Sequence, residues 1–173
     1  MRKLGTVAAV AVAAVLVYLI SAQGPASLPP RNPGEPAPAL SGKTADGKTA
    51  SLTDYKGKVV LVDFWATWCR PCQEEIPDLV KLNDSLKDKG FQILGVSMDE
   101  EGAKAVKRFE QRQPISYPVI LNPGERPPKG WVVPGLPSAY LIGRDGSVLK
   151  RWFGEKDIPA LRKDVEDALA AKN

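Results

Sequence analysis

Only two thiols occur in the 173 residues, Cys69 and Cys72, and they stand three apart with no other cysteine to compete. They follow the apolar run Val59-Val60-Leu61-Val62-Asp63-Phe64-Trp65 and open a stretch with helical periodicity. A sulfur in the first turn of a helix meets unpaired backbone N–H groups and the positive end of the helix dipole, so its thiolate is favoured. The thiolate is the form that attacks disulfides, and a second sulfur three residues on can close a ring with the first. The pair predicts thiol–disulfide exchange, with Cys69 as nucleophile and Cys72, one turn inside, as the resolving thiol.

Other uses of two cysteines fit less well. A structural zinc site needs four ligands, and the chain has no third cysteine and no histidine. Attachment of a c-type haem needs histidine directly after the second cysteine, where Gln73 stands. Iron–sulfur clusters want more thiolates. A purely structural bridge over three residues would constrain little of the unfolded chain. No metal and no cofactor beyond a Cys69–Cys72 disulfide is expected.

The elements around the pair can be read from pattern. Val59 to Trp65 and Phe91 to Ser97 are near-continuous apolar runs, as in strands buried on both faces. Arg70 to Lys89 carries Ile76, Leu79, Val80 and Leu86 on one helical stripe, with Pro77 predicting a kink. Ala103 to Gln113 reads as a helix ended by Pro114, and Tyr117 to Leu121 as a short extended segment. Ser138 to Ile142 and Val148 to Phe153 form a hairpin turned at Gly143-Arg144-Asp145-Gly146. Ile158, Leu161, Val165 and Leu169 line a final helix. Before them, Ser41 to Lys48 is a polar entry and Leu52 to Lys56 a short helical turn. The alternation predicts an α/β fold, a mixed central sheet with helices on both faces and an N-terminal β/loop extension.

The N-terminus is different. Met1-Arg2-Lys3 is basic, and Leu4 to Ile20 is an uncharged run long enough, at 1.5 Å per residue, to span about 25 Å. Residues 1–20 are therefore expected to be a signal anchor, or a signal peptide cleaved near Ala22-Gln23-Gly24, with the rest outside the cytoplasm. Residues 21–38, with Pro25, Pro29, Pro30, Pro33, Pro36 and Pro38, read as a stiff linker reaching about 50 Å. Residues 39–173 are then the globular domain. The net charge of +4 includes Arg2 and Lys3, and the remaining 22 basic against 20 acidic residues argue for no nucleic-acid partner.

Val62-Asp63-Phe64-Trp65-Ala66-Thr67-Trp68-Cys69-Arg70-Pro71-Cys72, with Pro77 beyond, resembles the thioredoxin superfamily. From about residue 34 to 172 the chain is similar to membrane-anchored thiol–disulfide oxidoreductases of the TlpA/ResA type. The matching words are Gly34-Glu35-Pro36-Ala37-Pro38, Ser51-Leu52, Gly57 to Val62, Val96-Ser97-Met98-Asp99, Gly135-Leu136-Pro137-Ser138 and Asp145-Gly146-Ser147-Val148. The resemblance implies a thioredoxin fold and a cis-proline loop at Pro137. That loop would face the dithiol and offer the backbone of Leu136 to an incoming peptide, with Trp68 flanking the groove and Trp65 packing.

Two acids bear on proton transfer. Asp63 interrupts an apolar strand, and a buried carboxylate must be paired or protonated. It matches the buried acid of thioredoxin, which assists proton transfer from the resolving cysteine, although TlpA/ResA relatives more often carry asparagine there. Glu75 matches the active-site glutamate of ResA-like proteins, and it is also an ordinary acid for an early helical turn. Glu74 is expected at the surface. Pro71 suits a first-turn position that needs no N–H. Arg70 either stabilises the Cys69 thiolate or is a solvated charge that touches partners.

The resemblance implies an extracytoplasmic reductase of protein disulfides, in apocytochrome c or in copper-site cysteines, fed by a membrane thiol donor and acting as a monomer. Alternatives are a cytochrome c maturation thioredoxin of the CcmG/DsbE type, which usually has an acid where Ser138 stands, and a disulfide-forming oxidase. A peroxiredoxin would need a lone cysteine in a Thr-x-x-Cys setting, whereas Thr67 lies two before Cys69. A copper chaperone would usually add histidine.

Overall fold

The computed structural model describes residues 33–124 and 126–171. The expected anchor, and the linker up to residue 32, lie outside them. In chain order the strands are β1 (Ser41–Lys43), β2 (Thr49–Ser51), β3 (Val59–Trp65), β4 (Phe91–Ser97), β5 (Val119–Leu121), β6 (Ser138–Ile142) and β7 (Val148–Phe153). The helices are α1 (Arg70–Leu86), α2 (Ala103–Glu110) and α3 (Ile158–Ala170), with 3-10 turns at Leu52–Tyr55 and Lys87–Lys89.

The main sheet has the order β5-β4-β3-β6-β7. β3, β4 and β5 run parallel, while β6 is antiparallel to β3 and β7 to β6. β3 lies at the centre, and all seven of its residues are buried, Asp63 included. That is why its sequence is a run and not an alternation. Successive residues still point to opposite faces. Val59, Leu61 and Trp65 join the core formed with α1, α2 and α3, and Val60, Val62 and Phe64 join the other. The second face is covered by Leu40, Ala50, the 3-10 turn through Leu52 and Tyr55, and Trp131. Trp131 stacks edge-on to Tyr140, with centroids 5.0 Å apart.

The N-terminal extension is tied down by its backbone. Gly34 N–H donates to Val148 and Ala37 N–H to Gly146, while Glu35 accepts from Val148 N–H. The polar entry forms the β1–β2 hairpin, and Ser51 and Asp54 make a reciprocal capping box for the 3-10 turn.

Differences from the sequence expectation lie at element ends. The helix expected to Lys89 gives way to a 3-10 turn after Leu86, α2 stops at Glu110, and β5 starts at Val119. α1 continues through Pro77. A proline there cannot donate to the carbonyl four residues back. That carbonyl, Gln73 O, instead accepts from the Gln113 side-chain amide at 2.8 Å.

Gly95 faces Asp63 across the β3–β4 register. A Cβ at Gly95 would stand 3.2 Å from Val119 Cγ2, and 3.3 Å from both Trp65 Nε1 and Tyr117 Cε2. Glycine therefore lets these rings close over the strand. Gly95→Val should destabilise the domain by about 1–3 kcal/mol through overpacking. The measurement is the urea midpoint, which should fall with the slope unchanged; an unaltered midpoint would show that the rings shift freely.

Candidate active site

β3 ends at Trp65, and the chain turns through Ala66, Thr67 and Trp68 into α1. Cys69 is the N-cap of α1, and its Sγ accepts from Cys72 N–H at 3.4 Å. Pro71 lies in the first turn, as the missing N–H allows. Cys69 and Cys72 are disulfide-bonded, with their Cα atoms 5.3 Å apart. Cys69 is only slightly the more exposed, at 5% against 2%.

The turn is pinned by a residue that carried no role in the sequence reading. Asp99 is buried just beyond β4, and its carboxylate accepts from Thr67 N–H at 3.0 Å, Thr67 Oγ1–H at 2.6 Å and Ser97 Oγ–H at 2.8 Å. Gln73 adds a side-chain donor to Thr67 O at 2.6 Å. The segment before the nucleophile is thus held from β4 and from α1.

Around the dithiol, Trp68 is 69% exposed while Trp65 is fully buried. Trp68 and Leu136 line one groove of about 560 Å³, together with Met98, Val133 and Glu100. The Leu136–Pro137 peptide is cis. Pro137 O accepts from Gly154 N–H at 2.8 Å, and Ser138 Oγ–H donates to Gly135 O. Arg70 and Pro71 do not line this groove. The Arg70 guanidinium is exposed and paired with Glu74 at 2.9 Å, so of its two readings the solvated charge fits the geometry better.

The two acids meet beneath the dithiol on a cation that sequence reasoning missed. Glu75 is one turn past Cys72 on the buried side of α1. Lys156, in the loop between β7 and α3, has a side chain with no exposure at all. Its ammonium is 2.5 Å from Glu75 Oε2 and 3.2 Å from Asp63 Oδ1. Its backbone N–H also donates to Glu75 Oε1 at 2.5 Å. The ammonium contacts are ionic without hydrogen-bond alignment, and the nearby Tyr117 hydroxyl and Trp65 Nε1 are buried without an acceptor. Lysine is usually solvated, and nothing near Gly154-Glu155-Lys156 marked it as buried.

Burial pushes the Glu75 carboxyl above its ordinary value, and Lys156 only partly offsets this. Burial disfavours the Lys156 charge, but Asp63 and Glu75 together raise its pKa. Burial, with both acids close by, pushes the Tyr117 phenol well up. Because folding raises the Glu75 pKa, the folded state holds that proton more tightly. Its contribution to stability is present below the ordinary glutamate range and is lost as pH rises through the raised value. The stability difference between wild type and Glu75→Gln should therefore shrink as pH climbs through that window, measured by urea unfolding from pH 4 to 8. A difference that is flat or grows with pH would contradict the raised value.

Comparison with known proteins agrees with this geometry. The AhpC/TSA family model matches residues 33–151. The thiol-disulfide oxidoreductase ResA of Bacillus thuringiensis subsp. konkukian is 37% identical over 123 residues, 71% of this chain and 70% of that protein. ResA of Bacillus subtilis is 33% identical over 117 residues, 68% of this chain and 65% of that protein. Among solved structures, a protein assigned as the thiol:disulfide interchange protein DsbE from Chlorobium tepidum superposes with a TM-score of 0.76 at 32% identity. It covers 81% of this chain and 99% of its own. A second thiol:disulfide interchange protein of that organism gives 0.68 at 33% identity, covering 80% and 98%. With its thioredoxin fold and helix-capping dithiol, this chain belongs to the AhpC/TSA family of the thioredoxin superfamily and, within it, to the ResA-type thiol–disulfide oxidoreductases.

Proposed function

We propose that this oxidoreductase reduces protein disulfides outside the cytoplasm, tethered by residues 1–20 and a linker shorter than the expected 21–38, because Gly34 to Ala37 are already bonded to the working domain. The observation that carries the reading is Cys69 at the N-cap of α1, bonded to Cys72 and flanked by the exposed Trp68.

In the reduced protein the Cys69 thiolate attacks one sulfur of a partner disulfide. The partner's S–S bond breaks, one partner sulfur leaves as a thiolate, and a mixed disulfide forms at Cys69. The Cys72 thiol then passes its proton to the acid pair of Glu75 and Asp63. The resulting thiolate attacks Cys69 Sγ, expels the second partner sulfur and closes the Cys69–Cys72 bond. Two electrons have moved to the partner, whose two thiolates take up protons. A membrane thiol donor restores the dithiol by the same exchange in reverse, and no other cofactor is needed. Trp68, Pro71, Leu136 and Pro137 receive the partner chain, with Arg70 at the rim. Apocytochrome c and copper-site cysteines are the proposed substrates, met by a monomer.

The likeness to a DsbE-assigned structure favours a second reading, cytochrome c maturation of the CcmG/DsbE type. Against it, the residue after the cis-proline is Ser138, fully buried and donating to Gly135 O.

The reduction potential of the Cys69–Cys72 couple tests the direction. A reductase should lie near or below thioredoxin's value of about −270 mV, whereas a value nearer −120 mV would make the protein an oxidase. Cys72→Ser should trap partners as mixed disulfides through Cys69, visible as dithiothreitol-sensitive adducts on non-reducing gels. Cys69→Ser should trap none.

A further inference from the structure

Lys156 stands outside the dithiol, the cis-proline and both recognised acids, yet it touches both acids. Its ammonium stands between the two carboxylates, one turn of α1 from Cys72, and so offsets negative charge on either of them. Without the ammonium, two carboxylates buried so close together would resist ionising together and tend to share a proton. A pair that already holds a proton is a poor acceptor for another. Lys156 also holds Glu75 twice, through a hydrogen bond from its backbone N–H, which aims the carboxylate, and through the ionic contact of its ammonium. Its loop is anchored on both sides: Gly154 N–H donates to Pro137 O, and the Asp157 side chain caps α3 by accepting from Ala160 N–H.

We propose that Lys156 is a positioning residue for the resolving step: it keeps the Asp63–Glu75 pair ionised and aimed so that the pair can take the proton from Cys72. This rests on the exchange reading above. In balanced form, the doubly ionised pair with Lys156 ammonium and Cys72–SH becomes a singly protonated pair, the same ammonium and the Cys72 thiolate. That thiolate then displaces the partner sulfur from Cys69. The groups facing the cluster are Asp63 from β3, Cys72 and Glu75 from α1, and Tyr117 from the segment before β5. Tyr117 stays neutral and adds no charge.

The test uses stopped-flow reaction of the reduced protein with 5,5′-dithiobis(2-nitrobenzoate) from pH 5 to 9. The first thionitrobenzoate release reports attack by Cys69, and the second, concentration-independent release reports resolution by Cys72. Lys156→Met should leave the first phase close to wild type. It should move the pH midpoint of the second upward by about one unit or more, slowing it about tenfold at pH 7. Lys156→Arg, which keeps the charge, should restore much of the rate. In an Asp63→Asn/Glu75→Gln background, Lys156→Met should no longer move the midpoint. A shared midpoint in wild type and Lys156→Met, with lowered thermal stability only, would reduce Lys156 to a structural pair and overturn the inference. Absence of both phases in the wild type would overturn the exchange reading instead. Should Lys156→Met fail to fold, the wild-type Lys156 15Nζ resonance decides. It should report a charged ammonium across this range and shift between the dithiol and disulfide forms, and a signal indifferent to redox state would overturn the inference.

Discussion

A buried cation between two buried carboxylates is the constraint on which the active-site architecture depends. Each charge of Asp63, Glu75 and Lys156 sits on a different element: β3, α1 and the loop that follows β7. Removing one partner of a buried ion pair leaves an uncompensated charge, at a cost of about 3–5 kcal/mol. The three elements are therefore held against separation by more than apolar contact. The same loop binds the cis-proline segment through Gly154 N–H and Pro137 O. One stretch of three residues, Gly154 to Lys156, thus connects the two acids to the cis-proline loop.

A second set of polar contacts fixes the other side. Asp99 holds Thr67 through main chain and side chain, and Gln73 reaches back to Thr67 O. Gln113 satisfies the carbonyl that Pro77 leaves unpaired. The turn carrying Trp68 and Cys69 is therefore held at both flanks, so exposure of Trp68 is not laxity of the backbone. A firmly held dithiol next to an exposed aromatic suits a site that must meet the disulfide of another protein.

Much of the fold was legible because its inner strands are buried on both faces. The boundaries of β3, β4 and β6 coincide with apolar runs, while the edge strand β7, with Lys150 and Arg151 inside it, was read from the turn at Gly143 to Gly146. The β1–β2 hairpin was expected only as an N-terminal β/loop extension with a polar entry, without strand bounds, because three-residue strands carry no usable periodicity. The end of α1 was overextended because Lys87-Asp88-Lys89 is as acceptable in an α-helix as in the 3-10 turn it forms. Trp131, in a segment with no periodic pattern, closes one core against Phe64 and Tyr140. Its flanking Pro and Gly residues concealed this.

The sequence by itself determined the chemistry. Two lone cysteines three apart at a strand-to-helix junction, an acid inside an apolar strand and a proline in Gly135-Leu136-Pro137-Ser138 named most of the site residues. The cysteine spacing and the acid in an apolar strand are local signals, set by geometry and by the cost of burying the wrong side chain, whereas the proline was assigned through the family resemblance. What joins Asp63 to Glu75 was decided only in three dimensions. Lys156 lies 81 residues beyond Glu75, and an isolated lysine in a loop reads as solvated. Burying an ammonium is tolerated only where opposite charges already wait for it. That condition belongs to the packing of three elements against one another and not to any segment of the chain.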